Sequence, residues 1–267
     1  MPYAENRGAG IYWGKYGEGS DLLLVQGLGY TTEMWHRVLP ALARRHRVIA
    51  FDNRGVGRSD VPPGPYPIEL MASDAVAVLD AAHADSAHVF GISMGGYISQ
   101  ELALQAPDRV RSLVLGCTGC GGREAVLAEQ EVLDLLTARA SMPAEQGIRV
   151  MVPYIYDPAT PRERIEEDLA IRLQTYPPEQ GYLGQLQGIA GWESCSRLGG
   201  LRLPVLVIHG TSDRLVPPAN GRRLAEAISG ARLLMLPQAS HVFFTDQPEA
   251  TIEAVLGFVA EVEESGG

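Results

Sequence analysis

One rhythm dominates the chain. Short runs that are apolar at nearly every position recur at Leu22, Leu23, Leu24 and Val25, at Val48, Ile49, Ala50 and Phe51, at Val89 and Phe90, from Val110 to Leu115, at Val205 to Ile208 and at Leu233 to Leu236. Most are followed by a glycine-rich or polar loop and then by a stretch whose apolar residues fall at helical spacing. A strand without polar alternation must be buried on both faces, so these runs predict a mostly parallel sheet with helices packed on each side. Residues 9 to 16 alternate instead, as an edge strand or hairpin does. The predicted class is α/β, with a mostly parallel sheet of about eight strands. In such sheets ligands bind beyond the carboxyl ends of the strands, which directs attention to the polar residues just after each run.

The rhythm lapses after Gly116. Residues 121 to 200 carry helical patches and prolines at 143, 153, 158, 161, 177 and 178 but no convincing strand. The expected organisation is a core made of residues 1–120 and 201–267 with a helical cap inserted at 121–200. Met142, Met151, Tyr154, Tyr156, Tyr176, Tyr182 and Trp192 fall in the insertion, a composition suited to lining an apolar pocket, although each one alone is more simply read as holding the cap together.

Three of the polar positions after strands form a pattern. Gly91-Ile92-Ser93-Met94-Gly95 follows an apolar run and opens a helix, and a strand turning that sharply into a helix has no room for side chains at Gly91 and Gly95. The turn would lift Ser93 Oγ over the sheet edge and leave the Met94 N–H at a helix N-terminus, where a developing oxyanion is favoured. Asp213 follows the run at 205–208, and His241 follows the run at 233–236. A serine hydroxyl needs an imidazole to take its proton, and the imidazole needs a carboxylate to hold its tautomer, so Ser93, His241 and Asp213 are the candidate nucleophile, base and orienting acid. The glycine loop Gln26-Gly27-Leu28-Gly29 after the first buried run offers the Leu28 N–H as a second oxyanion donor.

Other chemistries find less support. The formal charge of −10, from 22 Lys+Arg against 32 Asp+Glu, repels nucleic-acid backbones and anionic membranes. No apolar run approaches the ~18 residues of a membrane span. Three cysteines in 267 residues do not suggest a disulfide framework, and with no signal-peptide pattern at the N-terminus the expectation is a cytosolic protein. Cys117-Thr118-Gly119-Cys120 has redox or zinc spacing but lacks the helix start or further ligands such sites need, and Cys195 reads as a small cap residue. No metal or cofactor is implied.

These motifs, with Gly27-Leu28-Gly29 ahead of Met34-Trp35 and the loop Asp52-Asn53-Arg54-Gly55-Val56-Gly57-Arg58-Ser59, resemble the α/β-hydrolase fold family over essentially the whole chain. Within it the sequence is most similar to 3-oxoadipate enol-lactonase-like hydrolases and bacterial esterases, through the spacing from Leu28 to Trp35 and the run Ser93-Met94-Gly95-Gly96-Tyr97-Ile98-Ser99-Gln100. One departure is Gln26, where relatives often carry histidine. The resemblance implies a serine hydrolase of a small ester or lactone. Cys117, Tyr154, Trp192 and Val242 are the expected pocket residues. Serine at 93 disfavours dehalogenase or epoxide hydrolase chemistry, which needs aspartate there. Carbon–carbon bond hydrolysis, cofactor-free perhydrolase or haloperoxidase chemistry, and a small-molecule binding protein on the same fold remain as alternatives.

Overall fold

The computed structural model describes residues 2–265. Its strands are β1 (Tyr3–Asn6), β2 (Ala9–Tyr16), β3 (Asp21–Val25), β4 (Arg47–Phe51), β5 (Ala87–Ile92), β6 (Val110–Gly116), β7 (Val205–Gly210) and β8 (Arg232–Leu236), in the spatial order β1-β2-β4-β3-β5-β6-β7-β8. The β1–β2 and β2–β4 pairings are antiparallel, and every other pairing is parallel. The sheet is thus the mostly parallel one that the apolar runs predict. The edge strand β1 was not anticipated, since four residues with no apolar run carry little signal.

Strand side chains divide between two cores. Leu23, Val25, Ile49, Phe51, Val89, Leu113, Leu115, Val205 and Val207 face one, while Leu22, Leu24, Val48, Ala50, Phe90, Val114, Leu206 and Ile208 face the other. Alternate residues of one strand therefore enter opposite cores, which is why the runs show no polar alternation. Each fully buried leucine or valine contributes roughly 1.5–3 kcal/mol.

The helices are α1 (Leu39–Leu42), α2 (Ile68–Ala81), α3 (Met94–Gln105), α4 (Gln130–Ala138), α5 (Ala144–Arg149), α6 (Val152–Ile155), α7 (Arg162–Gln174), α8 (Glu179–Ile189), α9 (Cys195–Leu198), α10 (Ala219–Ala227), α11 (Phe243–Asp246) and α12 (Pro248–Ser265). The apolar residues Met34, Trp35, Val38, Leu39 and Leu42 fall at helical spacing after the glycine loop, yet they form not one helix but a 3₁₀ turn at Thr32–Trp35 followed by α1. Pro40 sits in the first turn of α1, where its missing N–H is tolerated, but it would break a helix running through from Trp35. Pro248 opens α12 as its sequence position suggests. No helix among the described residues is long and apolar enough to cross a membrane.

The loop after β4 is braced by its own charges. Asp52 accepts the N–H groups of Thr32 at 2.8 Å and Arg58 at 3.0 Å, and Arg54 makes a buried two-point contact with Asp74. Between β6 and β7 the chain is helical, from α4 to α9, and it is tied to the sheet domain at several points. Gln185 on α8 spans two core loops, accepting the Gly29 N–H at 2.8 Å and donating to the Arg54 carbonyl at 2.8 Å.

The cysteine expectation needs correction. Cys120 and Cys195, 75 residues apart, are joined in a disulfide with Cα atoms 5.1 Å apart. Spacing along the sequence cannot reveal this closure. A Gly121–Glu193 bridge and the hydrogen bond from the Ser194 N–H to the Cys120 carbonyl bring the two segments together. The pairing also removes the cysteine argument for a cytosolic setting.

Candidate active site

The end of β5 makes the tightest turn in the site. Ser93 has φ 55° and ψ −122°, a left-handed conformation rare for a residue with a side chain. Its neighbours must be glycine: a Cβ on Gly91 would lie 2.3 Å from the Gly95 carbonyl oxygen, and one on Gly95 would lie 2.2 Å from that of Val25. The turn is held by β6 and the loop after it, where the Gly116 carbonyl accepts the Ser93 N–H at 2.9 Å and Thr118 Oγ1–H donates to the Ser93 carbonyl at 2.8 Å.

Asp213 lies in the loop after β7 and His241 in the loop after β8. Asp213 Oδ2 accepts the His241 Nδ1–H at 2.9 Å and stands 3.3 Å from His209 Nε2, while Oδ1 accepts the N–H groups of Leu215 at 2.9 Å and Val216 at 2.8 Å. Burial by itself would raise this carboxyl, but the His241 and His209 imidazoles outweigh it, and Asp213 ionises below the ordinary carboxylate value. A carboxylate on Nδ1 fixes that proton, so Nε2 is the nitrogen left to act as base. Both loops are pinned: Asp157 of the helical segment accepts Ser212 Oγ–H at 2.6 Å, and Asp246 of α11 accepts the Ser240 N–H at 2.7 Å together with Oγ1–H of Thr160, from the helical segment, at 2.6 Å.

Ser93, His241, Leu28 and Met94 line one cavity of about 140 Å³. Neither the Leu28 nor the Met94 N–H donates a hydrogen bond among the described residues. Gln26, the departure from the resembling family, is fully buried. Its carbonyl accepts Asn53 Nδ2–H at 2.9 Å and its Oε1 accepts the Gly27 N–H at 3.2 Å, so side chains from three segments, Gln26, Asn53 and Gln185, set the glycine loop. Leu133, Leu136, Met151, Ile155 and Ile189 of the helical segment close the cavity, and Arg139 reaches its wall.

Of the four expected pocket residues, the structure places only Val242 on this cavity. Cys117 is fully buried behind the elbow, where burial and the Asp213 carboxylate push its thiol up, so it is no rival nucleophile. Tyr154 packs beneath Arg214, whose guanidinium lies 4.8 Å from the ring. Trp192 stacks on Tyr97 at 4.7 Å, donates Nε1–H to Glu101 and lines a separate, open groove of about 950 Å³. Tyr97 and Ile189 line both spaces and so form the partition between them. Aromatic content marks the segment that covers the site, but not which rings turn inward. Asn53 belongs to a loop whose motif is legible in the sequence, but its contact with Gln26 is not, and Arg139 and Gln185 are isolated polar residues at helical positions that carry no motif.

The model of the alpha/beta hydrolase fold family matches residues 22–146 and 164–248. The chain belongs to the α/β-hydrolase fold family. This α/β hydrolase is 35% identical over 267 residues to the RutD protein of Azorhizobium caulinodans, named for carbamate hydrolysis, covering 99% of this chain and 100% of that one. It is 31% identical to 3-oxoadipate enol-lactonase 2 of Acinetobacter baylyi, over 88% of each chain. Among solved structures, the enol-lactonase from Burkholderia xenovorans superposes on the hydrolase with a TM-score of 0.86 at 28% identity, over 97% of this chain and 100% of that one.

Proposed function

We propose that this hydrolase cleaves a small carboxylic ester or lactone through an acyl-enzyme on Ser93. The observation that carries the reading is the pairing of His241 with the fully buried Asp213 side chain, in a cavity that Ser93 shares. Ser93 Oγ attacks the carbonyl carbon as His241 Nε2 takes its proton, and the tetrahedral oxyanion lies between the N–H groups of Leu28 and Met94. The imidazolium, held by Asp213, protonates the departing alkoxide. His241 then takes a proton from water, whose oxygen attacks the acyl carbon and releases the acid and Ser93. Residues 121–200 act as a cap over the core, and their apolar side chains keep bulk water from the acyl group.

The likeness to the enol-lactonases supports an ester or lactone substrate, and the RutD likeness supports a carbamate as the second reading on the same triad. The test is turnover of a short p-nitrophenyl ester and of the matching p-nitrophenyl carbamate by wild type and Ser93→Ala. The ester reading expects faster turnover of the ester and its loss in the variant; a faster carbamate favours the second reading.

A further inference from the structure

The catalytic cavity is small and its neighbour is large. The first measures about 140 Å³, below the roughly 300–1,000 Å³ of sites that enclose drug-sized ligands, and the open groove beside it measures about 950 Å³. Tyr97 and Ile189 line both, so the wall between the two spaces is one side chain thick. Tyr97 stands on α3 one helical turn beyond Ser93, which puts this wall beside the nucleophile.

The wall is fixed from the groove side. Trp192 lines the groove and not the cavity, and its ring covers the Tyr97 ring at 4.7 Å with 34° between the planes. The indole is itself held, since Nε1–H donates to Glu101 at 3.0 Å and Glu101 accepts Arg197 Nη2–H at 2.8 Å. Ile189 ends α8, and its carbonyl accepts the Trp192 N–H at 3.3 Å. The chain after Trp192 is tied to the core by the Cys120–Cys195 disulfide and by Ser194 Oγ–H, which Gln100 on α3 accepts at 2.7 Å. A ring clamped in this way is not free to swing aside for a longer ligand.

The wall offers an incoming chain no charge. Ile189 is aliphatic, and burial pushes the Tyr97 hydroxyl up to about 12, so it stays un-ionised at neutral pH. Leu133, Leu136 and Met151 line the same cavity, so the part of a substrate that suits it is apolar.

We propose that Tyr97 and Ile189 set the chain-length limit of the hydrolase: an apolar chain of the substrate ends against them, so that short esters are selected and chains that need the groove are refused. The limit rests on the ester or lactone reading. It requires no contact with the scissile bond, since one methylene too many in an apolar pocket changes kcat/KM by about 10–200-fold.

The test measures kcat/KM along two series, p-nitrophenyl esters from acetate to octanoate and acetate esters from ethyl to octyl, which place the growing chain on the acyl or on the alcohol side. In wild type at least one series is expected to fall by about tenfold or more from its shortest to its longest member. Ile189→Ala and Tyr97→Leu each thin the wall, and in that same series each should raise the ratio of longest to shortest by about tenfold or more. Ile189→Val, which trims a single carbon, should give a smaller rise. No fall in either wild-type series overturns the proposal, and so does a fall whose ratio is unchanged in the folded variants. If Tyr97→Leu does not fold, the two Ile189 variants decide, that residue being only half-buried. Should no ester be turned over, the ester reading fails on its own, and calorimetry with butyrate and octanoate decides about the wall. An octanoate-to-butyrate affinity ratio that rises in Ile189→Ala upholds the limit, and an unchanged ratio overturns it.

Discussion

Asp213 Oδ2 accepts the Nδ1–H of His241 at 2.9 Å, although the two residues stand 28 positions apart in sequence with α10 and β8 between them. Three further groups turned toward Asp213, the N–H groups of Leu215 and Val216 and the ring of His209, leave that carboxylate no alternative orientation. Replacement of Asp213 by asparagine should lower kcat by about 10³–10⁴ through the wrong imidazole tautomer. Steady-state kinetics on a p-nitrophenyl ester measure it, and a loss below tenfold would mean that another group orients His241.

The glycine loop depends on Gln185. Its removal in Gln185→Ala strands the Gly29 N–H and the Arg54 carbonyl in a fully buried place, at a cost of about 1–3 kcal/mol for each group. Urea unfolding should show that loss. A fall in kcat should accompany it, since Leu28 adjoins the displaced residue, and wild-type kcat would show that α8 does not position the loop.

Gly95→Ala places a methyl group 2.2 Å from the Val25 carbonyl oxygen, a backbone atom that cannot swing aside. Overpacking against backbone should cost roughly 3 kcal/mol or more. A thermal midpoint equal to wild type would mean that the elbow is looser than its geometry implies.

Asp246 makes stability fall with rising pH. Burial lifts its carboxyl from 3.8 to about 6, and the Thr160 and Ser240 donors only partly offset that rise. Between those two values the folded chain keeps a proton that the unfolded chain has released, so raising the pH across the interval favours unfolding, by an amount of order 2–3 kcal/mol. Urea titrations from pH 4 to 7 should show this component in wild type and lose it in Asp246→Asn. An identical pH dependence in both proteins would contradict it.

What could be read beforehand follows from the range of each interaction. Burial on two faces is written into single strands such as Leu22 to Val25, and the elbow is written into five consecutive residues, so sheet, serine and chain order were all legible. Ser93, Asp213 and His241 each follow a strand, and strand order alone puts them on one edge of a parallel sheet. The Cys120–Cys195 pairing and the place of Arg139 at the cavity wall are set by how α4 to α9 fold back on the sheet, a tertiary outcome with no local period. Trp192 shows the same limit: its composition suits a pocket, yet a hydrogen bond to Glu101 and stacking on Tyr97 settle it in the neighbouring groove.

The most direct test of the central claim is labelling with a fluorophosphonate, followed by peptide mass spectrometry. An activated Ser93 should carry a single stoichiometric adduct, formed slowly in Asp213→Asn and not at all in Ser93→Ala. No adduct on the wild-type protein, or an adduct on a different serine, would contradict the assignment of Ser93 as nucleophile.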